Sequence, residues 1–140
     1  MVVIETDLVL ALASKTDKRH LEAMNIVRNV KHLMLSPYTL VELEILIKSN
    51  KIKVILPDFY KALDQVIQFY SIGIIQVKPI HMVIAQKLRE TYGLTHFDSL
   101  HASVAIAEND VLLSYNNVYS KIVELKYLHP TKLLKSNSYH

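Results

Sequence analysis

Cysteine is absent and glycine nearly so, since the 140 residues contain only Gly73 and Gly93. Without cysteine there is no disulfide framework, no thiolate metal site and no cysteine nucleophile. Two isolated glycines cannot build a phosphate-cradling P-loop or a dinucleotide-binding glycine fingerprint, which removes nucleotide-triphosphate and dinucleotide chemistry from the candidates. A Gly-x-Ser-x-Gly elbow is missing, and the scattered Ser and His residues suggest no triad. Long apolar runs are missing as well. Leu8 to Ala13 is among the longest, far short of the ~20 residues that cross a bilayer. No basic leader or small-residue cleavage site surrounds the first apolar run, Val2 to Ile4, so a cytoplasmic protein with no membrane partner is expected.

What is present fits a globular chain with one core, 51% hydrophobic and 21% charged. The formal net charge of +3 and pI of about 9.0 favour a polyanionic partner only weakly. Val2, Val3 and Ile4 are β-branched and continuously apolar, as a short strand buried on both faces requires. Further strands are expected at Leu33 to Leu35, Ile74 to Val77, Val111 to Ser114 and Tyr127 to His129. Between them helical spacing predicts a short helix after Thr6 and helices over Asp17 to Lys31, Pro37 to Ser49, Asp58 to Tyr70, Pro79 to Tyr92, Thr95 to Asn109 and Asn117 to Leu125. Asp17 and Ser36 are expected as N-caps, and Gly93 as a left-handed terminator. Strands alternating with helices give a single three-layer α/β/α domain with a central, mostly parallel sheet of about five strands. The domain is expected over residues 1–134, with 135–140 a frayed tail.

Sites in such folds lie beyond the carboxyl ends of the strands, so acids there draw the eye. Glu5 follows the first strand directly, and no cap explains it. Asp7, two residues on, either joins Glu5 or caps the following helix. Glu42 shares a helix face with Tyr38, Thr39 and Ile45 and is either solvated or functional, whereas Glu44 sits nearer Lys48 at a spacing suited to an exposed ion pair. Asp98 lies three residues after Thr95, where it serves a capping box, a site, or both. Asn116 is a turn residue on its own evidence. His96 and His101 lack the i, i+4 spacing of a zinc-protease helix and are read as core or supporting residues.

In order, Val2-Val3-Ile4-Glu5-Thr6-Asp7-Leu8, Leu35-Ser36-Pro37-Tyr38-Thr39-Leu40-Val41-Glu42, Gly93-Leu94-Thr95-His96-Phe97-Asp98-Ser99-Leu100-His101-Ala102 and Leu112-Leu113-Ser114-Tyr115-Asn116 resemble the motifs of the PIN-domain ribonucleases. The likeness is greatest to the toxins of VapBC-type toxin–antitoxin pairs and their archaeal relatives, and it spans nearly the whole chain. Two positions depart from the pattern. Glu5 stands where the family usually has Asp, and Asn116 stands where a fourth acid is common. The resemblance implies a metal-dependent endoribonuclease whose Glu5, Glu42 and Asp98 hold one or two Mg²⁺ or Mn²⁺ ions. Asp7 is the alternative ligand on the first strand, and Asn116 takes the fourth position. It further implies an RNA substrate cut to a 5′-phosphate and a 3′-hydroxyl, a cognate antitoxin and a homodimer. The alternative is a PIN-like module of weak or no activity that binds RNA or a protein partner. Lys15, Lys18, Arg19 and Lys48 flank the expected mouth, where they could hold the RNA backbone, but stay outside the site because charges on surface helices are commonly just solvated.

Overall fold

Strand β1 (Val2–Ile4) is hydrogen-bonded on both sides in the computed structural model, which describes residues 1–135. Val3 lies opposite Met34 of β2 (Leu33–Leu35) and Leu112 of β4 (Val111–Leu113), both parallel. Strand β3 (Gly73–Ile74) extends the sheet beyond β2, and β5 (Tyr127–Leu128) extends it beyond β4, giving five parallel strands in the order β3-β2-β1-β4-β5. A strand in the middle of such a sheet meets protein on both faces, which is why its residues are apolar without alternation.

Successive residues of the strands divide between two cores. Ile4, Leu35 and Leu113 face one side with Leu8 and Val9 of α1 (Thr6–Ala13) and Ile26 and Val27 of α2 (His20–Asn29). Val3 and Leu112 face the other with Ala85 and Leu88 of α5 (Pro79–Tyr92) and Leu100 and Val104 of α6 (His96–Glu108). This is the three-layer architecture that the alternating pattern predicts. Helix α3 (Tyr38–Lys48) reaches both cores, through Leu43 and Tyr38 respectively. Helix α4 (Asp58–Phe69) buries no residue fully and rests Phe59, Leu63 and Ile67 on the first core. The small residues Ala102 and Ala105 on α6 let α5 and α6 pack closely.

Several local expectations are corrected. Helix α2 begins at His20, because Asp17 spends its Oδ1 on the Arg19 N–H at 2.7 Å in a turn ahead of the helix. Ser36 does not cap α3, since its hydroxyl is bonded to His101 and Pro37 occupies the cap position. The third strand lies at Gly73–Ile74 and not at Ile74 to Val77, and a Cβ at Gly73 would collide with the Met34 thioether on the neighbouring strand. The helix expected to run to Leu125 is a 3₁₀ turn, Asn117–Lys121. It stops because Ile122 and Leu125 turn inward to the second core while Val123 points out. Glu44 accepts from the Tyr60 hydroxyl at 2.7 Å and forms no ion pair with Lys48. A further helix, α7 (Pro130–Lys135), follows β5 and anchors Leu133 in the first core. Of the frayed tail expected over 135–140, Lys135 ends α7, and 136–140 lie outside the described residues.

Gly93 ends α5 at φ +68 with open space around it. Gly93→Ala should therefore lower stability by about 1 kcal/mol through the left-handed backbone alone. A urea melt checks this, and an unchanged midpoint would show that the terminator tolerates a side chain.

Candidate metal centre

The sheet delivers its acids where β1 ends. Glu5 has an extended backbone and is the N-cap of α1, its Oε1 accepting from the Asp7 N–H at 3.3 Å. The expectation that no cap explains Glu5 is thus corrected. Its second oxygen does something else. Glu5 is buried, and Oε2 lies 3.0 Å from both the Ser114 and Tyr119 hydroxyls. Asp7 does not cap the helix. Its Oδ2 accepts from the Ser114 hydroxyl and the Tyr115 N–H, each at 2.8 Å, tying the end of β1 to the end of β4. Ser114 has one hydroxyl proton to share between Glu5 and Asp7, so it donates to only one of the two carboxylates at a time.

Glu42 enters from α3. Its Oε1 accepts a short hydrogen bond from the Thr6 hydroxyl and lies 2.9 Å from Nε2 of His101. His101 is fully buried on α6, with Nδ1 2.7 Å from the Ser36 hydroxyl and Nε2 4.0 Å from Glu5 Oε1. Glu5, Glu42 and His101 each offer one ligand atom within 4.8 Å of the others. Asp98 shares the α6 face with His101, three residues away. The Thr95 hydroxyl caps the helix by accepting from the Asp98 N–H at 3.4 Å, which leaves the Asp98 carboxylate to receive the Tyr119 hydroxyl at 3.3 Å.

Not every expected residue joins this group. Asn116 is exposed, and its Oδ1 accepts from the Val118 N–H at 3.0 Å, capping the 3₁₀ turn. Its link to the acids is a backbone N–H given to the Ser114 hydroxyl at 3.1 Å. His96 is exposed beside Phe97 and belongs to neither the core nor the cluster. The sequence carries no sign that Thr6, Ser114 and Tyr119 are polar partners of the acids, or that Ser36 holds His101. Only His101, three positions after Asp98, carried a spacing signal.

The electrostatics follow from burial. Desolvation, reinforced by the charge of Asp7, pushes Glu5 up to about 7, against the opposing pull of His101, Ser114 and Tyr119. Asp7 is raised as well, mainly by burial, although Ser114, Tyr115 and Arg19 oppose the shift. For Glu42, burial pushes up, but the hydrogen bonds from His101 and Thr6 and the charge of His101 outweigh it and hold the acid below its ordinary value. For His101, burial disfavours the charged ring, yet the Glu42 bond and the charges of Glu5, Glu42 and Asp98 win and raise it. Asp7 Oδ1 is buried with no hydrogen-bond partner among the described residues. Crowded carboxylates with an orphaned oxygen fit a hard divalent cation held through oxygen, with His101 behind Glu42.

Residues 2–125 match the PIN domain. No curated protein matches the chain in sequence. Among solved structures, VapBC2 of Rickettsia felis bound to a DNA fragment from its promoter is 21% identical with a TM-score of 0.71, over 92% of this chain and 98% of that one. VapBC-1 of nontypeable Haemophilus influenzae is 18% identical, TM-score 0.70, over 94% and 99%. VapC20 of Mycobacterium tuberculosis, a sarcin–ricin loop cleaving toxin, is 14% identical, TM-score 0.68, over 90% and 99%. At these identities the likeness is one of fold.

The raised groups set a pH dependence for the metal-free protein. Glu5 keeps its proton to about 7 when folded and loses it near 4.5 when unfolded, so rising pH between these values favours unfolding. Asp7 acts in the same sense. The stabilisation from His101 is complete below its ordinary 6.5 and is lost as pH rises through its higher folded value. Glu42 works oppositely, but only on acidification below its ordinary value. In EDTA, Tm should fall by roughly 5 °C or more between about pH 5 and about pH 8, and Mn²⁺ should restore it at the higher pH. A flat profile would mean that the acids do not share a buried site.

Proposed function

The chain belongs to the PIN domain family, and from that premise we propose that it is a Mg²⁺- or Mn²⁺-dependent endoribonuclease, the toxin of a toxin–antitoxin pair. Support comes from the cluster of Glu5, Glu42 and His101 where β1 ends, with the Tyr119 hydroxyl reaching from Glu5 to Asp98 and an unpartnered Asp7 oxygen nearby. Glu5, Glu42, Asp98 and Asp7 would hold the metal. When bound, the metal lowers the pKa of an attacking water and stabilises charge on the phosphodiester during in-line displacement.

The chain's own residues orient these ligands. Tyr119 has one hydroxyl proton between Glu5 and Asp98, and Ser114 has one between Glu5 and Asp7, so each fixes a pair of carboxylates in relative position. His101, held at Nδ1 by Ser36, keeps a proton at Nε2 against Glu42 and thereby aims that acid. Water attack on phosphorus, with departure of the 3′ oxygen, leaves a 5′-phosphate and a 3′-hydroxyl.

Partners follow from the VapBC and other toxin–antitoxin relatives, and we extend a cognate antitoxin to this chain. An apolar concavity of ≈ 470 Å³ between α1 and α4, lined by Val9, Leu12, Phe59 and Leu63 among others, is a surface of the kind a partner covers. Exposed Val41 and Ile45 on α3 and Met82 and Val83 on α5 suit a second copy in a homodimer. No described helix is long and apolar enough to cross a membrane; with no cysteine to protect, a cytoplasmic location is consistent with the rest.

Asn116 favours a second reading, a PIN module that binds RNA or a protein without cutting, because a capping amide there adds no charge to the metal site. The two separate on one variant. Asp98→Asn removes a charge at nearly constant shape and should reduce Mn²⁺-dependent cleavage of single-stranded RNA by about 100-fold or more, with Tm changed by only about a degree. EDTA should abolish cleavage by the parent. If Asp98→Asn cut at the parent rate, Asp98 would be no more than part of the α6 start. If the parent bound RNA and never cut it, the second reading would hold.

A further inference from the structure

Beside the acids lies a concavity of ≈ 360 Å³ lined by Lys18, Arg19, Glu22, Tyr115, His129 and Thr131. Tyr115 joins the two places, because its backbone N–H donates to Asp7 while the residue itself forms part of the concavity wall. We propose that this concavity is a phosphate subsite, taking the RNA backbone phosphate adjacent to the one being cut, with Arg19 as its anchor. The proposal deepens the ribonuclease reading and rests on it.

Arg19 is built into its position. Its guanidinium carbon lies 4.4 Å from the centre of the Tyr115 ring, a cation–π distance, and its backbone N–H is held by Asp17 at 2.7 Å. A planar guanidinium so held loses little further freedom on gripping a phosphate through two parallel hydrogen bonds. Among the described residues neither Arg19 nor Lys18 forms an ion pair, so both charges are available. His129 adds a donor. Its Nδ1 accepts from the Thr131 N–H at 3.2 Å, which assigns the proton of the neutral ring to Nε2. The Tyr115 hydroxyl is buried and makes no hydrogen bond of good geometry, although the Glu22 carboxylate faces it.

A ligand with consecutive phosphates matches this pairing of an acidic centre and a basic recess. The acids take one phosphate only through a divalent cation, while the recess takes its neighbour directly. A carboxylate peptide has no reason to bridge both. Glu22 is the one acid in the recess, and it opposes any anion there, which gives the proposal a test of opposite sign.

The test is binding of a short single-stranded RNA lacking terminal phosphates, followed by fluorescence anisotropy in EDTA across a salt series. Arg19→Gln should weaken binding by about 5- to 20-fold and reduce the salt slope by close to one phosphate contact. Glu22→Gln should tighten it by about 2- to 5-fold, and this variant keeps the Arg19 contact intact. Lys61→Ala, on α4, should change neither quantity. With Mn²⁺, the parent should cut a trinucleotide with two internal phosphates about tenfold better than a dinucleotide with one, and Arg19→Gln should lose that preference. An unchanged salt slope in Arg19→Gln, no tightening in Glu22→Gln, or no RNA binding by the parent at low salt would each overturn the subsite. Cleavage that persists with an unchanged slope would overturn the subsite alone. Arg19-dependent binding without cleavage by the parent would overturn the ribonuclease reading and leave the phosphate subsite standing.

Discussion

Like charge packed out of water is the constraint on which this molecule turns. Glu5 is buried where a central strand ends, with Asp7 and Glu42 beside it and Asp98 one hydroxyl away. Carboxylates in such a place must be protonated, hydrogen-bonded or neutralised by a cation. The protein supplies donors from separate elements: Thr6 from α1, His101 from α6, Ser114 from the end of β4 and Tyr119 from the 3₁₀ turn, with Ser36 at the end of β2 holding His101. The polar cluster therefore fastens the carboxyl ends of β1, β2 and β4 to two helices, at the edge where the two apolar cores give out.

His101 is central to this balance. Protonated, it neutralises Glu42 and lies close enough to Glu5 to favour that charge too. Under the proposed function a divalent cation would perform the same task more strongly, and the unpartnered Asp7 Oδ1 is an oxygen that His101 does not serve. The imidazolium thus keeps the acids assembled in the absence of metal. Ser36 holds the ring in place from behind, so that ligand exchange at the front need not disturb the core.

The expected sheet is recovered in strand number and parallel sense, because short β-branched runs buried on both faces leave little choice. Helices α5 and α6 also begin and end where Pro79, Gly93, Thr95 and Asn109 indicate. Errors fall where tertiary contacts override local signals. The third strand pairs Gly73 with Met34, whose side chain leaves no room for a Cβ, and Ile122 draws the chain inward before a full helix forms. At the site, acid types and order singled out Glu5, Glu42 and Asp98. Their donors were not legible, since Ser114, Tyr119 and Thr6 become partners only through contacts between residues distant in the chain. Asn116 is ambiguous for a related reason: an Asn after a strand reads equally well as a ligand and as a cap, and here its oxygen accepts from the Val118 N–H.

The modest net charge of +3 conceals a separation that matters more than its sum. Acids concentrate at the end of β1, and Lys18 and Arg19 outnumber the one acid, Glu22, that lines the recess sharing Tyr115 with them. A polyanion approaching without metal meets repulsion at one place and attraction at the other, so it is retained at the recess and kept from the acids. Under the proposed function, a cation on the acids would make both places attract phosphate, so a chain of phosphates would lie across them and metal entry would precede productive seating of the nucleic acid. Tyr115 is the hinge of that layout: its backbone steadies an acid while its ring steadies an arginine, so displacing it would loosen both halves of the site together.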